Sequence, residues 1–430
     1  MRLERLSAEG RLLVACAAQG PDPRAVRALL DAGVDWPRLI DRAVQHGLAP
    51  LLYATLRTTS PAASAEPPPP MLARLRELYD RHAARHVGRV AKLAEIGAAL
   101  DGAGITVVVL KGAALGSAVY RDPAFRTMGD VDLLARQEDL VAANRVLRRL
   151  GYTPDDSWRS EAWYEAHHHH LAPLVAPDGS LIVELHRSIV EAGEGRVPVD
   201  DLWERAGLEQ IGGATFRVLA PSDLLLHLCL HLACDNVFVA GKLRDLRDMA
   251  ETIRHYADAI EWDAVVGRAK AWQVSCYVYW ALWLARDMVG AAVPAAVLEG
   301  LADARRARPT DELLRRLLPE ILLQPEPWPF RLPRWLMVGM VPLLIHSDEP
   351  GDTVRVLARR FARGSRVSAQ HARRSLSLGP RARSVARRGR AALSSQGTEP
   401  QRARHRRDAG LGAGIGHRPA DDGRGDPTTR

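Results

Sequence analysis

Residues 107–134 read VVVLKGAALGSAVYRDPAFRTMGDVDLL. The apolar, β-branched run at 105–110 (ITVVVL) predicts a buried strand, which Lys111-Gly112 ends just before a small-residue helix over 113–120. An Asp-x-Asp pair follows, flanked by Val131, Leu133 and Leu134, so 130–134 predicts a second short strand. Side chains two apart on a strand share a face, with Cα atoms roughly 7 Å apart. Asp130 and Asp132 can therefore turn both carboxylates toward one cluster of divalent cations. Mg²⁺ takes hard oxygen ligands, uses one or two carboxylates, and completes its shell with water and phosphate oxygens. A metal pair stabilises both the entering and the leaving oxygen of a displacement at phosphorus.

Two further parts complete such a site. Gly112 lets backbone approach a phosphate, and the helix start beyond it offers unpaired N–H groups and a positive dipole end. Lys111 and Arg126 add positive charge for a triphosphate, and Gly129 stands immediately before the acid pair. The third acid is Glu184 in LIVELH (181–186), a carboxylate on an apolar strand that must be paired or metal-bound. Taken singly, each part has a plainer reading: an Asp-x-Asp also fits a salt-bridged strand end, and Lys-Gly also fits an ordinary turn. Their order carries the argument: strand, Lys-Gly, helix, Arg-x-x-Gly-Asp-x-Asp, then Glu-x-His on a later strand.

In these residues the chain resembles the uncharacterised nucleotidyltransferases of the polymerase-β-like superfamily, with the pattern LKG…Y…R…GDxDLL…ELH. The resemblance covers most of 30–300. It includes Asp35-Trp-Pro-Arg-Leu-Ile, Ala49-Pro-Leu-Leu-Tyr, His227-Leu-Cys-Leu-His231 and Leu243-Arg-Asp-Leu-Arg-Asp248. It implies an α+β fold, Mg²⁺ or Mn²⁺ as cofactor and an NTP as donor. It also implies Gly112 at the glycine turn, Asp130 and Asp132 as the metal-binding pair, and Glu184 as the third acid. Superfamily members more often carry Gly-Ser or Gly-Gly at the turn, so Lys111-Gly112 is a departure shared with this subgroup.

Charge is unevenly placed. Residues 351–430 hold 19 Arg against 6 Asp plus Glu, a net of +13, which leaves −5 on the first 350 residues of a chain at +8 overall. That Arg-rich, apolar-poor tail predicts disorder beyond about residue 375. It offers a handle for nucleic acid or anionic lipid, although a solvated extension is the preferred reading. Glu4, Glu9 and Arg11 interrupt the N-terminus, so a signal peptide is not expected. The longest apolar run, 335–345, is too short to span a bilayer. Cys16, Cys229, Cys234 and Cys276 form no CxxC pair, which predicts a reducing, cytoplasmic setting.

Four regions are expected: a helical N-terminal lobe (1–101) with a Pro/Ala/Ser linker at 60–70, an α/β core (102–220) built on a small mixed sheet, a helical C-terminal domain (221–350) and the basic tail (351–430). Further strands are expected at 170–175, 181–185 and 215–219, and a helix at 137–150. His227 and His231, one helical turn apart, suit either a metal or a helix interface. Asp245 and Asp248 share a face and suit either substrate or their neighbours Arg244 and Arg247. In the run 167–170 (HHHH) side chains alternate on an extended strand, so His168 and His170 at most reach the site together. The function expected is transfer of a nucleoside monophosphate from an NTP to an acceptor not specified by the sequence. The rivals are an Asp-x-Asp glycosyltransferase using a nucleotide sugar and a non-catalytic nucleotide- or nucleic-acid-binding module.

Overall fold

The Val-rich run forms β1 (Val107–Val109), and the Asp-x-Asp segment forms β2 (Val131–Ala135). With β3 (Thr153–Pro154), β4 (Leu174–Val175), β5 (Ile182–His186), β6 (Gly207–Ile211) and β7 (Ala214–Val218) they make one sheet in the order β3-β4-β5-β2-β1-β7-β6. β2 runs antiparallel to β1 and parallel to β5, and β1 runs parallel to β7, so the sheet is mixed and the fold is α+β and nucleotidyltransferase-like. The computed structural model describes residues 6–59, 66–155, 159–236, 238, 242–305, 311–323 and 345. The basic tail at 351–430, all of the apolar run at 335–345 except Ile345, and the linker segment 60–65 lie outside the described residues.

Period-two alternation divides the sheet into two faces. Val107, Val109, Val131, Leu133, Val183 and Leu185 pack with Leu93, Ile96 and Leu100 of the helix Pro69–Asp101 and with Leu140 and Leu147 of the helix Leu140–Arg149. Val108, Leu110 and Leu134 join a second cluster. It contains Leu12 and Leu39 from the N-terminal helices and Leu225, Leu246 and Trp280 from the helices Pro221–Leu230, Leu243–His255 and Ser275–Val289. Asp132, Glu184 and His186 fall on this second face by the same alternation. The helices before and after the sheet therefore share one apolar layer, and the polar residues interrupt it at the sheet.

Several elements differ from expectation. The helix after β1 starts at Lys111, runs as α-helix to Ala114 and widens to a π-helical turn over Leu115–Val119. The expected strand at 170–175 is only β4 plus a bridge between His170 and His186, and a short helix, Glu161–His167, precedes it. β3 and β6 were not expected at all. β6 (GLEQI) has one buried residue, Ile211, so it carries little apolar signal. The cue lies in the loop: Gly212 and Gly213 have φ of 62° and 83°, the two left-handed residues that a tight hairpin to β7 needs. Among the described residues, no helix is long and apolar enough to cross a membrane.

Buried His46 contributes to the acid sensitivity of the fold. His46 is 5% exposed, and burial, reinforced by Arg42, lowers its pKa to about 4. An unfolded chain binds a proton at that imidazole near pH 6.5, whereas the native one does not until about 4. The stabilisation is present in full above 6.5 and is lost as pH falls toward 4. Urea unfolding at pH 7 and pH 5 should show a loss of about 2 kcal/mol from this group. His46→Gln should reduce that loss by about 2 kcal/mol without abolishing it, since His82, His86, His168 and His170 are lowered by burial too; an unchanged slope would refute the assignment.

Candidate active site

β2 and β5 pair in parallel register, with Val131 opposite Val183, Asp132 opposite Glu184 and Leu134 opposite His186. That register sets the Asp132 and Glu184 side chains next to each other on one face. His186, two residues on from Glu184, places Nε2 2.9 Å from Asp132 Oδ1 and 3.5 Å from Glu184 Oε2. Asp132, Glu184 and His186 each bring a ligand atom within 4.8 Å of the others. His186 therefore completes this triple, and the ELH motif alone does not reveal that role. Asp130 lies one residue before β2, exposed.

The protonation states follow from the surroundings. Burial opposes ionisation of Asp132, but Lys111 and the hydrogen bond from His186 outweigh it and hold the carboxyl well below its usual range. Burial likewise opposes a charge on His186, yet its bonds to Asp132 and Glu184 push the imidazole up to about 9. Glu184 is lowered too, its burial outweighed by His186 and then His170. Asp130 moves the other way: desolvation by surrounding protein, then the negative charges of Asp132 and Glu184, raise it against the pull of Lys111 and Arg244.

Lys111, the first residue of the helix after β1, has a φ of 41°, a conformation costly for a residue with a Cβ, of order 1–3 kcal/mol. Its Nζ is 3.2 Å from Asp132 Oδ1 and 3.3 Å from His231 Nδ1, so the side chain reaches directly over the acid pair. His231 in turn contacts Asp235 at 2.8 Å, on the π-helical turn His231–Asp235 that follows the helix Pro221–Leu230. His227 and His231 do not act together. His227 is fully buried with neither ring nitrogen hydrogen-bonded, while His231 turns to the acids.

Arg126, expected to add charge for a triphosphate, is buried within the protein. Its guanidinium is buried, with Nε 2.8 Å from Asp248 Oδ1, and Tyr120 donates its hydroxyl to the same oxygen at 2.7 Å. Asp248 thus pairs with Arg126 rather than Arg247, while Asp245 does pair with Arg244 at 3.3 Å. The Tyr and Arg of the motif clamp the loop before the acids onto the helix Leu243–His255. Three arginines also donate to that loop's carbonyls: Arg126 to Thr127 at 2.6 Å, Arg244 to Thr127 at 2.9 Å, and Arg89 to Met128. Arg89 and Arg244 come from distant helices, and sequence spacing gave no sign of their convergence.

Gly112 makes the close approach of this loop possible. A Cβ there would stand 2.9 Å from Met128 Cγ and 3.2 Å from Arg126 Nη1. Gly112→Ala should therefore destabilise the protein by about 1–3 kcal/mol through overpacking, with recovery in Gly112→Ala/Met128→Ala; thermal melts of both variants check this. At Gly129, which is exposed, an added Cβ would meet nothing within 4 Å.

The histidine run converges more fully than alternation on a flat strand allows. His167 ends its helix stacked on Trp163, and His168 turns extended (φ −124°, ψ 154°). Ring centroids of His168 and His170 are 4.0 Å apart, His168 and His169 4.6 Å, and His169 and His186 5.2 Å. His170 Nε2 is 3.6 Å from Glu184 Oε2, so this wall adjoins the acids.

A mixed sheet with its acids gathered on one face under a helical layer already marks the architectural class. Residues 32–290, more than half of the chain, match the family of uncharacterised nucleotidyltransferases, and the protein belongs to that family. Neither the curated proteins nor the solved structures compared with it give a match.

Proposed function

We propose that the protein is a metal-dependent nucleotidyltransferase that moves a nucleoside monophosphate from an NTP to a hydroxyl-bearing acceptor, with pyrophosphate leaving. The observation that carries this reading is the in-register pairing of Asp132 with Glu184, two ionised carboxylates beside Lys111 and His186 on one face of the sheet. Both acids are held below their usual pKa, as oxygen donors to a hard cation must be. Asp130, Asp132 and Glu184 would hold Mg²⁺ or Mn²⁺. The bound ion would offset charge on the triphosphate and stabilise the entering and leaving oxygens at phosphorus.

The chain's own groups do the rest by position and charge. Lys111, with Arg244 and Lys242 near Asp130, supplies positive charge where a triphosphate must lie. The backbone around Gly112 and Gly129 would hold the phosphates, and Glu184 would orient the acceptor hydroxyl and take its proton. Arg126 acts at one remove, holding the loop that presents Asp130. The four cysteines are buried, and a cytoplasmic setting is part of this reading. Among the described residues before β1 there is no strand. The nucleotide-binding α/β unit of a sugar-nucleotide glycosyltransferase therefore has no counterpart there.

The test is incubation of purified protein with each α-labelled NTP, Mg²⁺ or Mn²⁺, and cell extract. Label entering protein, RNA or a small molecule supports the reading and identifies the acceptor class. No transfer with any of the four nucleotides, or turnover of a UDP-sugar instead, overturns it.

A further inference from the structure

A second group of metal-ligating side chains stands next to the acids and is not used by them. His168 Nε2 lies 3.2 Å from Glu191 Oε1, and His169 Nδ1 lies 3.6 Å from the same oxygen. One ligand atom from each of the three falls within 4.8 Å of the others. Two donors about 2.0–2.1 Å from a tetrahedral ion are about 3.4 Å apart, so both separations are compatible with a shared ion. His169 is 6% exposed, and its Nδ1 is buried without a hydrogen-bond partner. Its other nitrogen, Nε2, is 3.8 Å from Asp235 Oδ1. A carboxylate on the far side of a ligating imidazole commonly fixes ring orientation and leaves the near nitrogen for metal.

We propose that His168, His169 and Glu191 bind a divalent transition cation of the Zn²⁺ class. Two imidazoles and one carboxylate suit Zn²⁺ and its neighbours, whereas Mg²⁺ prefers an all-oxygen shell. The three residues line a cavity of about 660 Å³ that also includes Trp163, Arg187 and Arg196. That is the size of a small-molecule pocket. Three protein ligands leave a fourth position, as in zinc sites that accept water or a ligand oxygen. The site is separate from the Asp132, Glu184 and His186 group, and its existence does not depend on nucleotidyl transfer.

The test uses the full chain stripped with a chelator. Zn²⁺ is titrated by calorimetry, and Co²⁺ by its visible d–d bands. The expected result is one Zn²⁺ equivalent that persists in Asp132→Asn/Glu184→Gln, is not displaced by excess Mg²⁺, and weakens at least tenfold in His168→Ala and in Glu191→Gln. Circular dichroism checks that the variants fold. Should the His168 and Glu191 variants fail to fold, the Co²⁺ spectrum of the Asp132→Asn/Glu184→Gln protein decides: imidazole-ligated bands support the site, and their absence overturns it. Folded His168→Ala and Glu191→Gln proteins that bind Zn²⁺ like the parent would also overturn it, leaving only histidine–carboxylate contacts.

Discussion

Asp132→Asn should abolish nucleotidyl transfer, lowering the rate by on the order of a thousandfold or more, because the reaction leans on charge fixed in position. The same change also touches the fold. Asp132 is buried between Lys111 and His186 at 3.2 and 2.9 Å, and removing one partner of a buried ion pair costs about 3–5 kcal/mol. Part of that cost will be relieved as His186 releases its proton. Glu184→Gln separates the two effects, since Glu184 is more exposed and its histidine contacts are longer, 3.5 and 3.6 Å. It should lose transfer by a comparable factor while melting close to the parent. Labelled-NTP assays alongside thermal melts make the comparison. Folded Asp132→Asn and Glu184→Gln proteins with full activity would end the metal-site assignment.

Arg126→Met should cost about 3–5 kcal/mol of folding stability, a large share of what a domain of this kind possesses. It strands the Asp248 carboxylate, 1% exposed, with the Tyr120 hydroxyl and the more distant charge of Arg244 as its remaining favourable neighbours. Replacing both ends, Arg126→Met with Asp248→Leu, should regain much of the loss, because a buried pair is often no more stable than well-packed apolar side chains. Tyr120→Phe removes one hydrogen bond to a charged group and should cost about 1.5–3 kcal/mol. Urea denaturation of the four proteins measures these values. A stable Arg126→Met protein whose main defect is a raised KM for NTP would instead return Arg126 to the triphosphate.

Much of this architecture is legible in the chain. The Val run of β1, the alternation around Asp132 and the apolar strand bearing Glu184 all declare themselves through apolar patterning, which burial on a sheet enforces. The proximity of Glu184 to Asp132 follows from both motifs lying on strands of one small sheet. Other features depend on tertiary contact and leave no periodic trace. Arg126 looks like a phosphate ligand until Asp248 arrives from more than a hundred residues away. Lys111 looks like part of a turn until its ammonium is seen over Asp132. His231 and Asp235, which reach the site, bound a π-helical turn, and no local residue preference signals such a turn. The edge strand β6 escaped because its side chains are mostly exposed, although its Gly-Gly loop was a usable cue.

The parallel pairing of β2 with β5 joins residues 52 positions apart along the chain. Sliding β5 by a single residue would rotate Glu184 and His186 into the layer filled by Leu93, Leu100 and Leu147, and would send Val183 and Leu185 toward the acids. An ionised carboxylate in that hydrocarbon layer would have no compensating partner. The same side chains assigned to chemistry therefore act as an alignment key during folding: a misaligned sheet is too unstable to persist, so a chain that reaches its native state arrives with the site already assembled.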